Sequence, residues 1–88
     1  MQEEKSKILS KIVGELILDA RKSAGITFTD FCYGNDIKKG TYERVIKGKT
    51  QVSLYNVSKM IKALGWNFQK FGEELDKQLP KEFWEYED

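Results

Sequence analysis

The sequence predicts an all-α fold, a compact bundle of five short helices, and three observations carry that expectation. Apolar residues recur three and four positions apart along most of the chain. Gly, Asn, Asp, Ser and Pro interrupt that rhythm at intervals suited to helices of a few turns. No segment alternates apolar and polar residues long enough to make a useful strand.

The first helix is expected over 6–24, where Ile8, Leu9, Ile12, Val13, Leu16, Ile17 and Ala20 cover about half the circumference at the helical period. Leu18 lies off that arc. So wide an apolar face exceeds what one side of a small core requires, and part of it is expected to cover a partner or the tail. Gly25 supplies the stop, because glycine enters the left-handed region at little cost.

Thr27 or Thr29 caps a second helix running to about Tyr33. Gly34, Asn35 and Asp36 form the next turn, since all three types tolerate positive φ or make Asx turns. The third helix runs from about Lys38 to Lys47 and stops at Gly48. Gln51 to Ser53 make a short connection, and Ser53 caps a fourth helix with Leu54, Val57, Met60, Ile61 and Leu64 on its face, ended by Gly65. Asn67 caps a fifth helix carrying Phe68, Phe71, Leu75 and Leu79, which Pro80 terminates. Residues 1–79 thus make one domain, and 80–88 a short tail in which Phe83, Trp84 and Tyr86 stand among acids.

Eighty-eight residues, 40 % apolar, suit a single small domain. A chain of this size buries only roughly two-thirds of its unfolded surface, so a second copy would help it. The lone cysteine, Cys32, cannot form an intrachain disulfide and permits a reducing cytoplasm. No apolar run approaches the roughly 18–20 residues of a membrane span, and the start lacks the apolar core of a signal peptide. A cytoplasmic protein with no membrane partner is the expectation.

Net charge is +1, but its distribution is uneven. Between 37 and 72, Lys38, Lys39, Arg44, Lys47, Lys49, Lys59, Lys62 and Lys70 face a single acid, Glu43. From 73 to the end, acids outnumber Lys77 and Lys81. A basic centre beside an acidic tail suggests a polyanion partner for the first and another role for the second, although a solvated surface would carry the same totals.

Residues 27–48 have the spacing of a helix-turn-helix, with apolar or small side chains at Phe31, Cys32, Ile37, Tyr42 and Val45, and polar or basic ones at Lys38, Lys39, Thr41, Arg44 and Lys47. Two helices crossing at a fixed angle can present one of them to the major groove, which is wide enough to admit it.

Here the chain resembles the lambda-repressor-like (XRE/Cro-type) helix-turn-helix DNA-binding family. The likeness runs from Val13-Gly14-Glu15 through Lys22, Gly25-Ile26-Thr27, Phe31-Cys32, Ile37, Thr41-Tyr42, Arg44-Val45 and Lys47-Gly48-Lys49-Thr50, then through Leu54 to Ala63-Leu64-Gly65. It implies a five-helix DNA-binding domain, commonly a homodimer on a palindromic operator, with the third helix in the major groove and no cofactor. By position, Lys39, Gly40, Thr41 and Arg44 fall on the base-reading face. Thr27, Phe28, Lys38, Lys47 and Lys49 fall where phosphates lie, with Lys59 nearby.

Four departures from the family pattern stand out. Asp36 replaces the turn glycine, at some conformational cost. Ile46 replaces a glutamate that pairs with an arginine at the position of Arg21, leaving Asp19, Glu43 or solvent to take that guanidinium. Phe28 replaces a polar phosphate contact, and Gly40 leaves a gap in the reading face at a cost of about 1 kcal/mol in helix propensity.

Arg44 is the strongest candidate for base contact, because its planar fork can donate to both O6 and N7 of guanine. The lysines would contribute salt-dependent affinity without sequence information. Tyr42, Val45, Ile37, Phe31 and Cys32 are expected in the core, with the Cys32 thiol inert. An enzyme is not expected: the chain has no histidine, and offers no metal-ligand cluster, phosphate-cradling loop or nucleophile with a base.

The tail aromatics are expected to pack back on the first and fifth helices or to form a dimer interface. A docking peptide, or an acidic strip competing with DNA, are the alternatives. The leading expectation is a sequence-specific regulator of transcription. An antitoxin-type regulator binding both DNA and a toxin, and a protein-interaction module on the same scaffold, are its rivals.

Overall fold

The structure, a computed structural model, describes residues 2–49 and 53–85 and, from Glu4 onward, their side chains. Thr50, the Gln51–Val52 part of the expected connection, and Tyr86 lie outside the described residues. Five helices follow in order, with no strand among the described residues: α1 (Gln2–Ser23), α2 (Phe28–Tyr33), α3 (Lys39–Ile46), α4 (Leu54–Ala63) and α5 (Phe68–Gln78). None of them is long and apolar enough to cross a membrane.

Helix α1 begins four residues earlier than the apolar periodicity predicts. Its first turn is Gln2-Glu3-Glu4-Lys5, residue types with high helix propensity that need no apolar partner. The other starts follow their caps. Thr27, Ser53 and Asn67 each accept a hydrogen bond from the backbone N–H three residues on, at 3.1, 3.1 and 2.8 Å.

The stops share one geometry. Gly25, Gly48 and Gly65 have positive φ, and the next N–H reaches back to a carbonyl five residues earlier: Ile26 to Arg21, Lys49 to Arg44, Trp66 to Ile61. Asp36 does the same work after α2, at φ 54°, with Ile37 N–H donating to the Cys32 carbonyl at 2.9 Å. Lys59 supports this turn from α4, donating to the Asp36 carbonyl at 3.0 Å with the Asp36 carboxylate 3.8 Å away. The turn is therefore formed without glycine.

One core joins the helices. Val13, Leu16 and Ile17 of α1 meet Phe31 and Cys32 of α2, Tyr42 and Val45 of α3, Val57, Met60 and Ile61 of α4, and Phe71 of α5. The expected core residues Tyr42, Val45, Ile37, Phe31 and Cys32 are all buried. Burial pushes the Cys32 thiol up from its ordinary pKa, so it stays protonated.

Two apolar residues depart from expectation: Leu54 and Phe68, each the first residue of its helix, are exposed rather than part of the core. Ile8 is exposed too, on the wide apolar face of α1 of which part is expected to lie outside the core. The tail folds back: Pro80 to Phe83 form a turn closed by Phe83 N–H on the Pro80 carbonyl at 3.0 Å, and Phe83 is buried. Lys5 of α1 reaches both the Glu85 carbonyl and the Phe83 ring. Trp84 packs edge-on against Phe83 yet stays exposed.

Candidate nucleic-acid interface

The inner side of α3 is set by close backbone approach. A Cβ on Gly14 would fall 2.2 Å from the Val45 carbonyl oxygen and 2.9 Å from that of Ile46. Just beyond α3, Gly48 lies so near α1 that a Cβ there would sit 2.7 Å from the Lys11 Cα. Two glycines on opposite sides of the seam thus let α1 and the end of α3 meet backbone to backbone.

Tyr42 strengthens that seam. Its hydroxyl accepts from Arg21 Nε at 2.8 Å, and its ring packs at 5.4 Å on both Phe28 and Phe31. The Arg21 guanidinium also donates to the Ile26 carbonyl at 2.6 Å. Sequence reasoning assigned Arg21 to Asp19, Glu43 or solvent. Tyr42 and a backbone carbonyl take it instead, which is how α3 accommodates Ile46 without a glutamate.

With Tyr42 and Val45 turned inward, the helical period leaves Gly40, Arg44 and Lys47 on the opposite side, and all three are exposed. Lys38, Gly40, Thr41, Arg44, Lys47 and Lys49 line one shallow, open concavity. The structure thus brings together six of the expected contact residues. Lys39 is exposed at the start of α3 but lies outside that concavity.

The other expected contacts sit elsewhere. The Thr27 side chain caps α2. Phe28 is half-buried with its ring against Tyr42, so its aromatic body serves the core edge. Lys59 is engaged at the Asp36 turn, with its ammonium 4.7 Å from the Tyr55 ring centroid.

Glu43, expected only as a possible partner for Arg21, also lines the concavity and places a carboxylate among its cations. Its spacing, four residues after Lys39 and four before Lys47, was the available signal. Lys38, Arg44, Lys47 and Lys49 still outweigh it, and the described ion pairs, Lys59–Asp36 and Lys77–Glu74, leave all of them out.

At the α3 N-terminus, Lys38 makes no side-chain cap, unlike the residues preceding α2, α4 and α5. A Cβ on Gly40 would meet nothing within 4 Å, so the helix backbone is open to approach there. Chemically, the arrangement offers a fixed rod with cations and bare amides on one side, suited to a polyanion. Among the described residues no group of His, Cys, Asp and Glu could hold a metal ion. Comparison of the chain with protein-family models, with curated proteins and with solved structures finds no match.

Proposed function

We propose that this chain is a sequence-specific double-stranded DNA-binding regulator of the lambda-repressor-like kind, acting as a homodimer on a palindromic operator. In this reading α3 enters the major groove. Arg44 reads a guanine, and Lys39 and Thr41 reach neighbouring base edges. Gly40 lets the helix backbone come close, and Lys38, Lys47 and Lys49 neutralise phosphates.

The observation that carries the reading is the two-sided character of α3. Its inner side is locked to α1 through Gly14 and Tyr42, while its outer side presents Arg44 and Lys47 with no tail residue among the described lining of that face. A recognition element needs both properties, because a base contact demands a fixed position and an open approach.

A random-site selection with the full chain, followed by titration over salt, tests it. The expected result is an enriched palindrome with half-sites about one helical turn apart and an affinity that falls steeply with salt. Lys49→Ala is expected to weaken all sequences alike and to lessen the salt slope by about one. Selection that returns no motif, with every duplex bound at the same nonspecific level, would remove the proposal.

A further inference from the structure

A second surface lies away from α3, in a groove between α1 and α5. Its apolar lining is half-buried Ile12, Leu18 and Trp66 above Leu16 of the core, and Glu15, Asp19 and Glu74 line it as well. Leu18, which the apolar arc of α1 left unexplained, opens onto the same groove. Asp19 follows Gly14 by five residues, a rotation of about 140° around α1. The acidic side of the groove is therefore turned well away from the seam that holds α3. The described tail residues, 80–85, are not among the groove's lining, and Lys5 of α1 is where they meet that helix through polar and cation–π contacts.

We infer that this groove docks a cationic amphipathic segment, a helix bearing Lys or Arg beside leucine-like side chains, from a partner protein. Half-buried Ile12, Leu18 and Trp66 supply apolar surface that the described residues cover only in part, and the rim sets the charge of what would complete that cover. Glu74 already has Lys77 at 3.2 Å, but the described ion pairs leave Glu15 and Asp19 without a cation. Trp66 has the Lys70 ammonium 5.2 Å from its ring centroid, so this wall already accommodates positive charge.

Charge also decides between occupants. DNA is repelled by the rim. A second copy docked groove to groove about a two-fold axis would set Glu15, Asp19 and Glu74 against their own equivalents, and like charges facing across an interface repel. A cationic partner satisfies both the apolar surface and the rim. This inference does not rest on DNA binding, and Arg44→Ala separates the two.

The test uses the full chain in a Trp84→Phe background, which leaves Trp66 as the only indole. The probe is a synthetic amphipathic helix of Leu and Lys, about four turns long. One control replaces its Lys by Glu, and a second replaces its Leu by Ser. Expected are saturable binding of the Leu–Lys peptide alone, a change in Trp66 emission, and amide shifts centred on Glu15, Asp19 and Trp66. The double variant Glu15→Lys, Asp19→Lys should weaken binding by about tenfold or more, and Arg44→Ala should leave it unchanged. Both carboxylates are exposed, so circular dichroism should not alter, and Glu15→Gln with Asp19→Asn gives a milder version of the same comparison. Equal binding of the Ser–Lys control, shifts mapping to α3, or indifference to both sets of variants would overturn the inference.

Discussion

Gly14 and Gly40 are both helical glycines, and they sit in opposite surroundings. A Cβ at Gly14 would collide with the Val45 carbonyl oxygen, whereas one at Gly40 would meet nothing. The first belongs to the seam between α1 and α3, the second to the outer side of α3. The difference teaches that one helix can carry two separable duties. Inward residues answer to packing, and a change there is felt by the whole fold. Outward residues such as Gly40 and Arg44 meet no partner among the described residues, so their chemistry is open to a ligand.

The sharpest way to break that contrast is at the seam. Gly14→Val is expected to cost about 3 kcal/mol or more, because the clash is with backbone that cannot rotate aside, and thermal unfolding would read it. An unchanged melting temperature would mean that α3 is not held where the structure places it. On the outer side the expected loss is functional only. Arg44→Ala should leave stability within about 0.5 kcal/mol while removing roughly 1–3 kcal/mol of discrimination at one base pair in a binding competition.

Tyr42→Phe sharpens the comparison from within. It keeps the ring stacked on Phe28 and Phe31 but deletes the acceptor for Arg21, an expected loss of about 1–2 kcal/mol in denaturant unfolding. Gly40→Ala should do the opposite of Gly14→Val. With open space at the site, it is expected to gain about 0.5–1 kcal/mol of stability and to weaken DNA binding by holding the helix off the groove.

The smallest expected effect is at Cys32. Burial raises its pKa from an ordinary 9.0, Glu43 adds to that rise, and Arg21 opposes it. As pH climbs past that value the unfolded chain ionises its thiol before the folded chain does, so this contribution to stability is present below it and lost above it. Melting temperatures between neutral and alkaline pH should fall slightly less steeply in Cys32→Ala than in the parent.

Caps and stops were legible in advance because they are local. Thr27, Ser53 and Asn67 each bond an N–H three residues away, and Gly25, Gly48 and Gly65 turn the chain within a single residue. Asp36 was readable for the same reason. The candidate interface was partly legible: periodicity separates Tyr42 and Val45 from Gly40, Arg44 and Lys47, whatever packs behind them. Leu54 and Phe68 are exposed against expectation because an apolar residue in phase says nothing about whether another element reaches it. That the Phe28 ring packs on Tyr42 follows from how α2 meets α3, which no local pattern carries.

By itself, then, the amino-acid order determined five helices, their ends apart from the start of α1, and the side of α3 that faces away from the core, since each follows from contacts within one or two turns. Only the tertiary structure decided who partners Arg21, how close α1 comes to α3, where Phe83 is buried and that a groove remains open beside Trp66. Those depend on which residues meet across long stretches of chain, and no local period or propensity encodes that distance.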